Sequence, residues 1–179
     1  MERPALATAL SQAECIHDGA TVRAAIARIA GEIDAALDRE PALFLSIMQG
    51  GLIFAGQLAT SIAAPLDFDY VHATRYRGET LAGELSWIKQ PTLSIAGRIV
   101  LLVDDILDEG HTLKAIRNYC TENGARRTLI AVLCDKRHDR RVSGVTADFV
   151  GLEVPDRYVF GYGMDYYEQG RNLPAIYAL

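Results

Sequence analysis

The run Ile99-Val100-Leu101-Leu102-Val103 constrains this chain more than any other stretch, because five consecutive aliphatics leave no polar face for water. Such a run suits a strand buried on both sides, in the middle of a parallel sheet with helices above and below. Acids follow at once, in Val103-Asp104-Asp105-Ile106-Leu107-Asp108-Glu109-Gly110-His111-Thr112. The segment reads as the end of a central strand and the start of a helix, the edge at which open α/β sheets bind ligands.

The flanking sequence supplies the rest of such a sheet. Thr21 reads as an N-cap, and Val22, Ile26, Ile29, Ile33 and Leu37 follow it at helical spacing. Leu43 to Met48 is a short apolar strand ending at Gln49-Gly50-Gly51, and the next helix runs to about Ala64, where Pro65 stops it. Asp67 to Ala73 alternates as another strand, which completes a βαβ unit and implies parallel pairing. Residues 76–86, rich in Gly, Glu and Thr, read as a long mobile loop leading into a short strand over 85–89. A helix from about Thr112 to Asn123 ends at Gly124, and Thr128 to Cys134 is a further buried strand. Ala147–Val150 and Tyr158–Phe160 are short strands, and the tail from Met164 is irregular. The expected fold class is α/β, with a central parallel sheet of about five strands flanked by helices.

Composition narrows the function. With 179 residues, 50% hydrophobic and 23% charged, the chain can bury one sizeable core and is not disordered. A net charge of -5 opposes a protein built to grip nucleic-acid phosphates. Cys15, Cys120 and Cys134 lie far apart with no CxxC, against a disulfide framework or a cysteine zinc site and in keeping with a reducing compartment. The N-terminus lacks a basic start followed by an apolar block, so no secretion signal is read and a cytoplasmic location is expected. Pro41 to Leu66 carries no charge, but Gln49, Gly50, Gly51 and Gln57 at its centre fit a strand, turn and packed helix better than a membrane span. The histidines share no metal-ligand spacing, and neither GxxxxGK(S/T) nor GxGxxG occurs.

Asp104, Asp105, Asp108 and Glu109 are costly to crowd together unless something positive or hydroxyl-rich engages them. Glu109 to Thr112 form a glycine turn at a helix N-terminus, where exposed N–H groups make an anion cradle. Carboxylates beside an anion pocket suit a sugar phosphate. A solvated acidic turn capping a helix is the plain alternative, and the fixed register of the Asp, Gly and Thr residues behind a buried strand speaks against it. VDDILDEGHTL closely resembles the phosphoribosyl-pyrophosphate (PRPP) motif of the type I phosphoribosyltransferases. The run from Asp148 to Tyr166, DFVGLEVPDRYVFGYGMDY, resembles the purine-binding end of the hypoxanthine-guanine branch of that family. The resemblance spans about Leu43 to Leu179 and implies one domain over 1–179, with a core at about 20–150. A small purine-binding hood would be formed by about 151–179 and the N-terminal segment.

The implied reaction is purine salvage: phosphoribosyl passes from PRPP to hypoxanthine or guanine, giving IMP or GMP and pyrophosphate. By resemblance, Asp104 and Asp105 face the ribose hydroxyls, the first partly through Mg²⁺, and Asp165 is the second Mg²⁺ carboxylate. Asp108, in the same PRPP segment as Ile106 and Leu107, lies near purine N7 as the general base, its pKa raised by desolvation. Main-chain N–H groups of Glu109, Gly110, His111 and Thr112 hold the 5′-phosphate. Met48, Gln49, Gly50 and Gly51 match the pyrophosphate loop, and Arg171 neutralises a pyrophosphate oxygen. Lys136 donates to the exocyclic O6, Tyr158 stacks on the purine, and Arg157 and Val159 offer carbonyls. The charges after Lys136, through Arg141, read as solvated. Arg75 and Tyr76 open a closing lid that excludes water.

Four positions depart from the family pattern: Gln49 and His111 replace common basic residues, Glu109 replaces a hydroxyl, and Arg75 stands where Ser precedes Tyr. They bear on PRPP affinity more than on the reaction. The resemblance implies PRPP and a 6-oxopurine base as partners, a homodimer or homotetramer, no nucleic acid and no membrane. Preference for xanthine is the alternative within the class. A regulatory relative that senses PRPP or nucleotides is the alternative outside it, and would need a nucleic-acid module or a broad basic face.

Overall fold

A computed structural model describes residues 5–75 and 85–179 of the chain. Among the described residues, helices α1 (Leu6–Gln12), α2 (Gly19–Leu37), α3 (Leu52–Ala59) and α4 (His111–Glu122) are interleaved with nine strands. These are β1 (Glu14–His17), β2 (Ala42–Met48), β3 (Leu66–Arg75), β4 (Leu85–Lys89), β5 (Ile99–Leu107), β6 (Arg127–Lys136), β7 (Phe149–Val154), β8 (Val159–Phe160) and β9 (Ile176–Ala178). A six-stranded sheet runs in the order β4-β3-β2-β5-β6-β7, all parallel except the antiparallel edge strand β4. A smaller antiparallel sheet has the order β1-β9-β8. The α/β class is as expected, with six strands in place of about five.

Both faces of the large sheet are covered, which is why its strands read as unbroken apolar runs. Phe44, Leu101, Val103, Ala131 and Leu133 pack against α2 and α3 through Val22, Ile26, Ile29, Ile33, Phe54 and Leu58. Their neighbours Leu43, Leu45, Val100, Leu102, Ile130 and Val132 face the other way, onto Leu113, Ile116 and Cys120 of α4. No helix among the described residues is long and apolar enough to cross a membrane.

Several boundaries differ from the sequence reading, each for a local reason. Asp18, not Thr21, caps α2, its carboxylate accepting from the Thr21 N–H at 2.8 Å. Helix α3 ends at Ala59, well short of Ala64, because the Thr60 and Ser61 hydroxyls turn back onto the Gln57 carbonyl and Asp34 takes the Ala63 and Ala64 N–H groups. Strand β7 begins at Phe149, since Asp148 docks onto Ile130 with both its N–H and its carboxylate. The tail is not wholly irregular, because β9 pairs with β1 from the opposite end of the chain.

The change that matters most for function lies in β5. The strand runs to Leu107, so Asp104 and Asp105 sit inside it, paired across to β6 through Asp104 and Val132. Its pairing with β2 stops at Ser46 and Val103. Beyond that point β5 has a neighbour on one side only, and a crevice opens where the strand order reverses, the usual ligand position in such sheets.

Asp69 of β3 anchors the connection that returns from β4. It accepts from Lys89 Nζ at 2.9 Å and from the Tyr70, Thr92 and Leu93 N–H groups, with its side chain only 6% exposed. Burial works to raise its pKa, yet these donors outweigh it and hold the carboxyl at about 2, against 3.8 ordinarily. A depressed folded-state pKa stabilises the fold above the unfolded value and loses that stabilisation as pH falls from about 4 through 2. Asp69→Ala should therefore cost about 2 kcal/mol in urea unfolding at pH 7, with the difference from wild type shrinking as the pH approaches 2. A pH-independent gap would remove the carboxylate from this role.

Candidate active site

The crevice holds a cavity of about 270 Å³ between the ends of β2 and β5 and the start of α4. Asp104, Asp105, Ile106, Asp108, Glu109, Gly110, His111 and Thr112 line one wall, with Met48, Gly50 and Arg171 across from them. A second cavity of about 300 Å³ adjoins it, lined by Lys136, Tyr158, Val159, Met164 and Asp165, and shares Asp105, Ile106 and Asp108 with the first. The two spaces meet at Asp108.

The α4 end of the first cavity is built for an anion. Gly110 is the N-cap with φ +86, a left-handed conformation that favours glycine, and no side chain caps the first turn. The helix N-terminus and its dipole therefore face the cavity. His111 lies on the same lip, 3.8 Å from Glu109.

The β2 end is built for close backbone approach. A Cβ on Gly50 would lie 2.0 Å from Asp105 Oδ2, and one on Gly163, whose φ is +108, would lie 2.2 Å from the Gly50 carbonyl oxygen. Gly163 in turn receives Arg171, which donates to its carbonyl at 2.6 Å and pairs with Asp165 at 2.8 Å. One guanidinium thus ties the first cavity to Asp165 of the second, and its charge counters the effect of burial on the paired acids. Burial and the adjoining Asp105 carboxylate push Asp104 well above the usual carboxylate range, and burial raises Asp105 as well.

Asp108 differs from both. Lys136 Nζ donates to its Oδ2 at 2.7 Å, and His138 Nε2 lies 2.7 Å from its Oδ1. Burial raises its pKa, but the hydrogen bonds from Lys136 and His138 prevail and hold it below the ordinary value. The expected upward shift is thereby corrected: two donors, not desolvation, set the protonation of this carboxylate.

The phosphoribosyl transferase domain family matches residues 12–169. The chain belongs to that family. Against the hypoxanthine-guanine phosphoribosyltransferase of Aquifex aeolicus, this phosphoribosyltransferase is 34% identical over 87% of its own length and 88% of the relative's. Against that of Bacillus subtilis it is 38% identical, over 75% and 74%. A crystal structure of a hypoxanthine phosphoribosyltransferase from Staphylococcus aureus superposes with a TM-score of 0.87 at 31% identity, covering 93% of this chain and 90% of the other.

Not every residue singled out in the sequence reaches the phosphoribosyltransferase cavities. Leu107 is buried in the core and paired to β6, and its carbonyl accepts from Arg141 at 3.3 Å. Gly51 is buried as the N-cap of α3, packed so tightly that a Cβ would meet the Ile47 and Val103 carbonyl oxygens at 2.6 and 2.9 Å. Gln49 is exposed and lines neither cavity. Arg157, expected to offer its carbonyl, lines neither cavity, and its side chain binds Glu14 at 2.6 Å and the Ala178 and Leu179 carbonyls. Arg75 closes β3, and Tyr76 lies outside the described residues. The charged run after β6 is not simply solvated. The His138 side chain is 2% exposed, while Arg141 pairs with the buried Asp135 and donates to the carbonyls of Leu107, Asp108 and Lys136. These two were missed because nothing in the spacing of a basic run tells which members fold back.

Proposed function

We propose that this phosphoribosyltransferase transfers the phosphoribosyl group of PRPP to hypoxanthine or guanine, releasing pyrophosphate and IMP or GMP. The observation that carries the reading is the pair of cavities meeting at Asp108, one with an anion cradle and acids, the other with a lysine donor and an exposed aromatic. In it, the α4 N-terminus holds the 5′-phosphate, Asp104 and Asp105 face the ribose hydroxyls, and Gly50 and Arg171 face the pyrophosphate. Lys136 donates to O6 of the base, which favours 6-oxopurines over adenine. Tyr158, 47% exposed and fixed by its hydroxyl on the Asp165 carbonyl at 3.1 Å, offers its ring to the purine. Asp108 receives the N7 proton as the bond forms at N9. Holding base and sugar on either side of one carboxylate makes catalysis largely a matter of position and electrostatics.

The donor set fits Mg²⁺. Hard carboxylate oxygens of Asp104 and Asp165 suit that ion, and no cluster of three or more His, Cys, Asp or Glu occurs among the described residues to hold it alone. Asp104 and Asp165 would hold the ion together with substrate oxygens, and it would neutralise charge growing on the leaving pyrophosphate. Asp165 would have to share its carboxylate with Arg171 and the Glu168 N–H. The small β1-β9-β8 sheet serves as a hood over the base, and the free cysteines suit the cytoplasm. An apolar groove edged by exposed Leu52, Phe68 and Tyr70 supports self-association as a homodimer or homotetramer.

Purified protein with PRPP and Mg²⁺ should convert hypoxanthine and guanine, followed by chromatography of IMP and GMP, faster than xanthine assayed alongside. Failure to convert any of the three at any Mg²⁺ concentration would end the proposal.

A further inference from the structure

His138 lies outside every role assigned above, yet it is almost wholly buried against Asp108. Its two ring nitrogens are both engaged. The Arg140 backbone N–H donates to Nδ1 at 3.1 Å, so Nδ1 carries no proton and Nε2–H is left to donate to Asp108 Oδ1 at 2.7 Å. Arg140 is itself fixed by two hydrogen bonds to Asp156, at 2.7 and 2.6 Å. The loop after β6 thus locks one imidazole tautomer and aims it at one carboxylate oxygen.

Lys136 holds the other oxygen. A lysine that turns to O6 of an incoming base vacates Oδ2 for the N7 proton. We propose that His138 is the positioning residue of the reaction, the donor that stays on Asp108 Oδ1 and keeps the carboxylate oriented when Lys136 turns to the base. The inference rests on the reading of Asp108 as proton acceptor. The other charges around Asp108 are Arg141 at its carbonyl, Arg140 and Glu109 nearby, and Asp105 and Asp165 across the second cavity. Of all these, only Lys136 and His138 donate to the Asp108 carboxylate in the described structure.

The test compares His138→Ala and His138→Gln in the full chain, with kcat, both KM values and their pH dependence. His138→Ala should lower kcat by about 10- to 100-fold, the scale of one hydrogen bond to a charged group, with the KM for PRPP within about threefold. The acid limb of kcat/KM for hypoxanthine should move up by about one pH unit, because the carboxylate has lost a donor. His138→Gln, which keeps an N–H, should recover about tenfold of the loss. A rate loss with an unmoved limb and no recovery in the glutamine variant would make His138 a packing residue and overturn the inference. A readout free of turnover stands beside it: ¹H–¹⁵N spectra of the ring should show the Nε2–H tautomer, with signals that move in Asp108→Ala. An Nδ1–H tautomer, or signals indifferent to that change, would overturn the inference whatever the activity. Absence of turnover in the wild type would instead strike the functional reading and leave the spectra to decide His138.

Discussion

Asp108→Asn is expected to lower turnover by about two orders of magnitude or more, the scale of one acid–base group. The amide cannot take the N7 proton. It also presents one oxygen where Lys136 and His138 both donate, so one of those donors meets an NH₂ group. The backbone of the anion cradle is untouched, so the KM for PRPP should stay within about threefold while kcat falls. Steady-state kinetics at saturating PRPP checks this. A variant turning over at the wild-type rate would strip Asp108 of its role and the paired cavities of their meaning.

The same residue marks how far the sequence could be read. That Asp108 stands at the ligand edge follows from the aliphatic run before it, since a strand covered on both faces needs no polar alternation and its end must fall at the sheet's rim. The state of its carboxyl does not follow. Desolvation and hydrogen bonding act on it with opposite signs, and the deciding donors stand 28 and 30 residues away, one at the end of β6 and one in the loop after it. Lys136 was legible because it continues a buried strand. His138 and Arg141 were not, because a run of charges reads the same whether it is solvated or folded back.

Strand limits show the same divide. The unbroken apolar run of β5 ends at Val103, but hydrogen bonding carries the strand on to Leu107 because β6 is still alongside. A strand's end is thus set by its partner, which local sequence does not contain. For β9 the partners are β1, at the other terminus, and β8, and its three residues carry no periodicity of their own. Asp104 and Asp105 are consequently more buried than a terminal crest would be. Burial raises the pKa of both carboxyls, and the charge of Arg171 counters that rise.

Among the described glycines, Gly50 leaves the shortest distance to an added Cβ, and Gly50→Ala should be strongly damaging although it alters no charge. The added methyl would stand 2.0 Å from Asp105 Oδ2 and 2.5 Å from its Cγ. Asp105 is 8% exposed inside a paired strand, so its carboxylate has little room to retreat. The loop cannot yield easily either, because the Gly50 carbonyl packs against Gly163 and the Gly51 N–H is bonded to the Ile47 carbonyl at 3.0 Å. If these walls hold ribose and pyrophosphate as proposed, displacing either by about 1 Å would misalign both, which costs on the order of 100-fold in rate. We expect kcat/KM for PRPP to fall by about that factor, with a stability loss of about 1–3 kcal/mol from overpacking. Gly31→Ala is the matching control. It sits exposed in α2 with nothing within 4 Å of a new Cβ, so it should leave turnover unchanged and add about 0.5–1 kcal/mol of stability. Equal kinetics in the two alanine variants would mean that the β2 loop does not touch the substrate, and the pyrophosphate would then have to bind elsewhere.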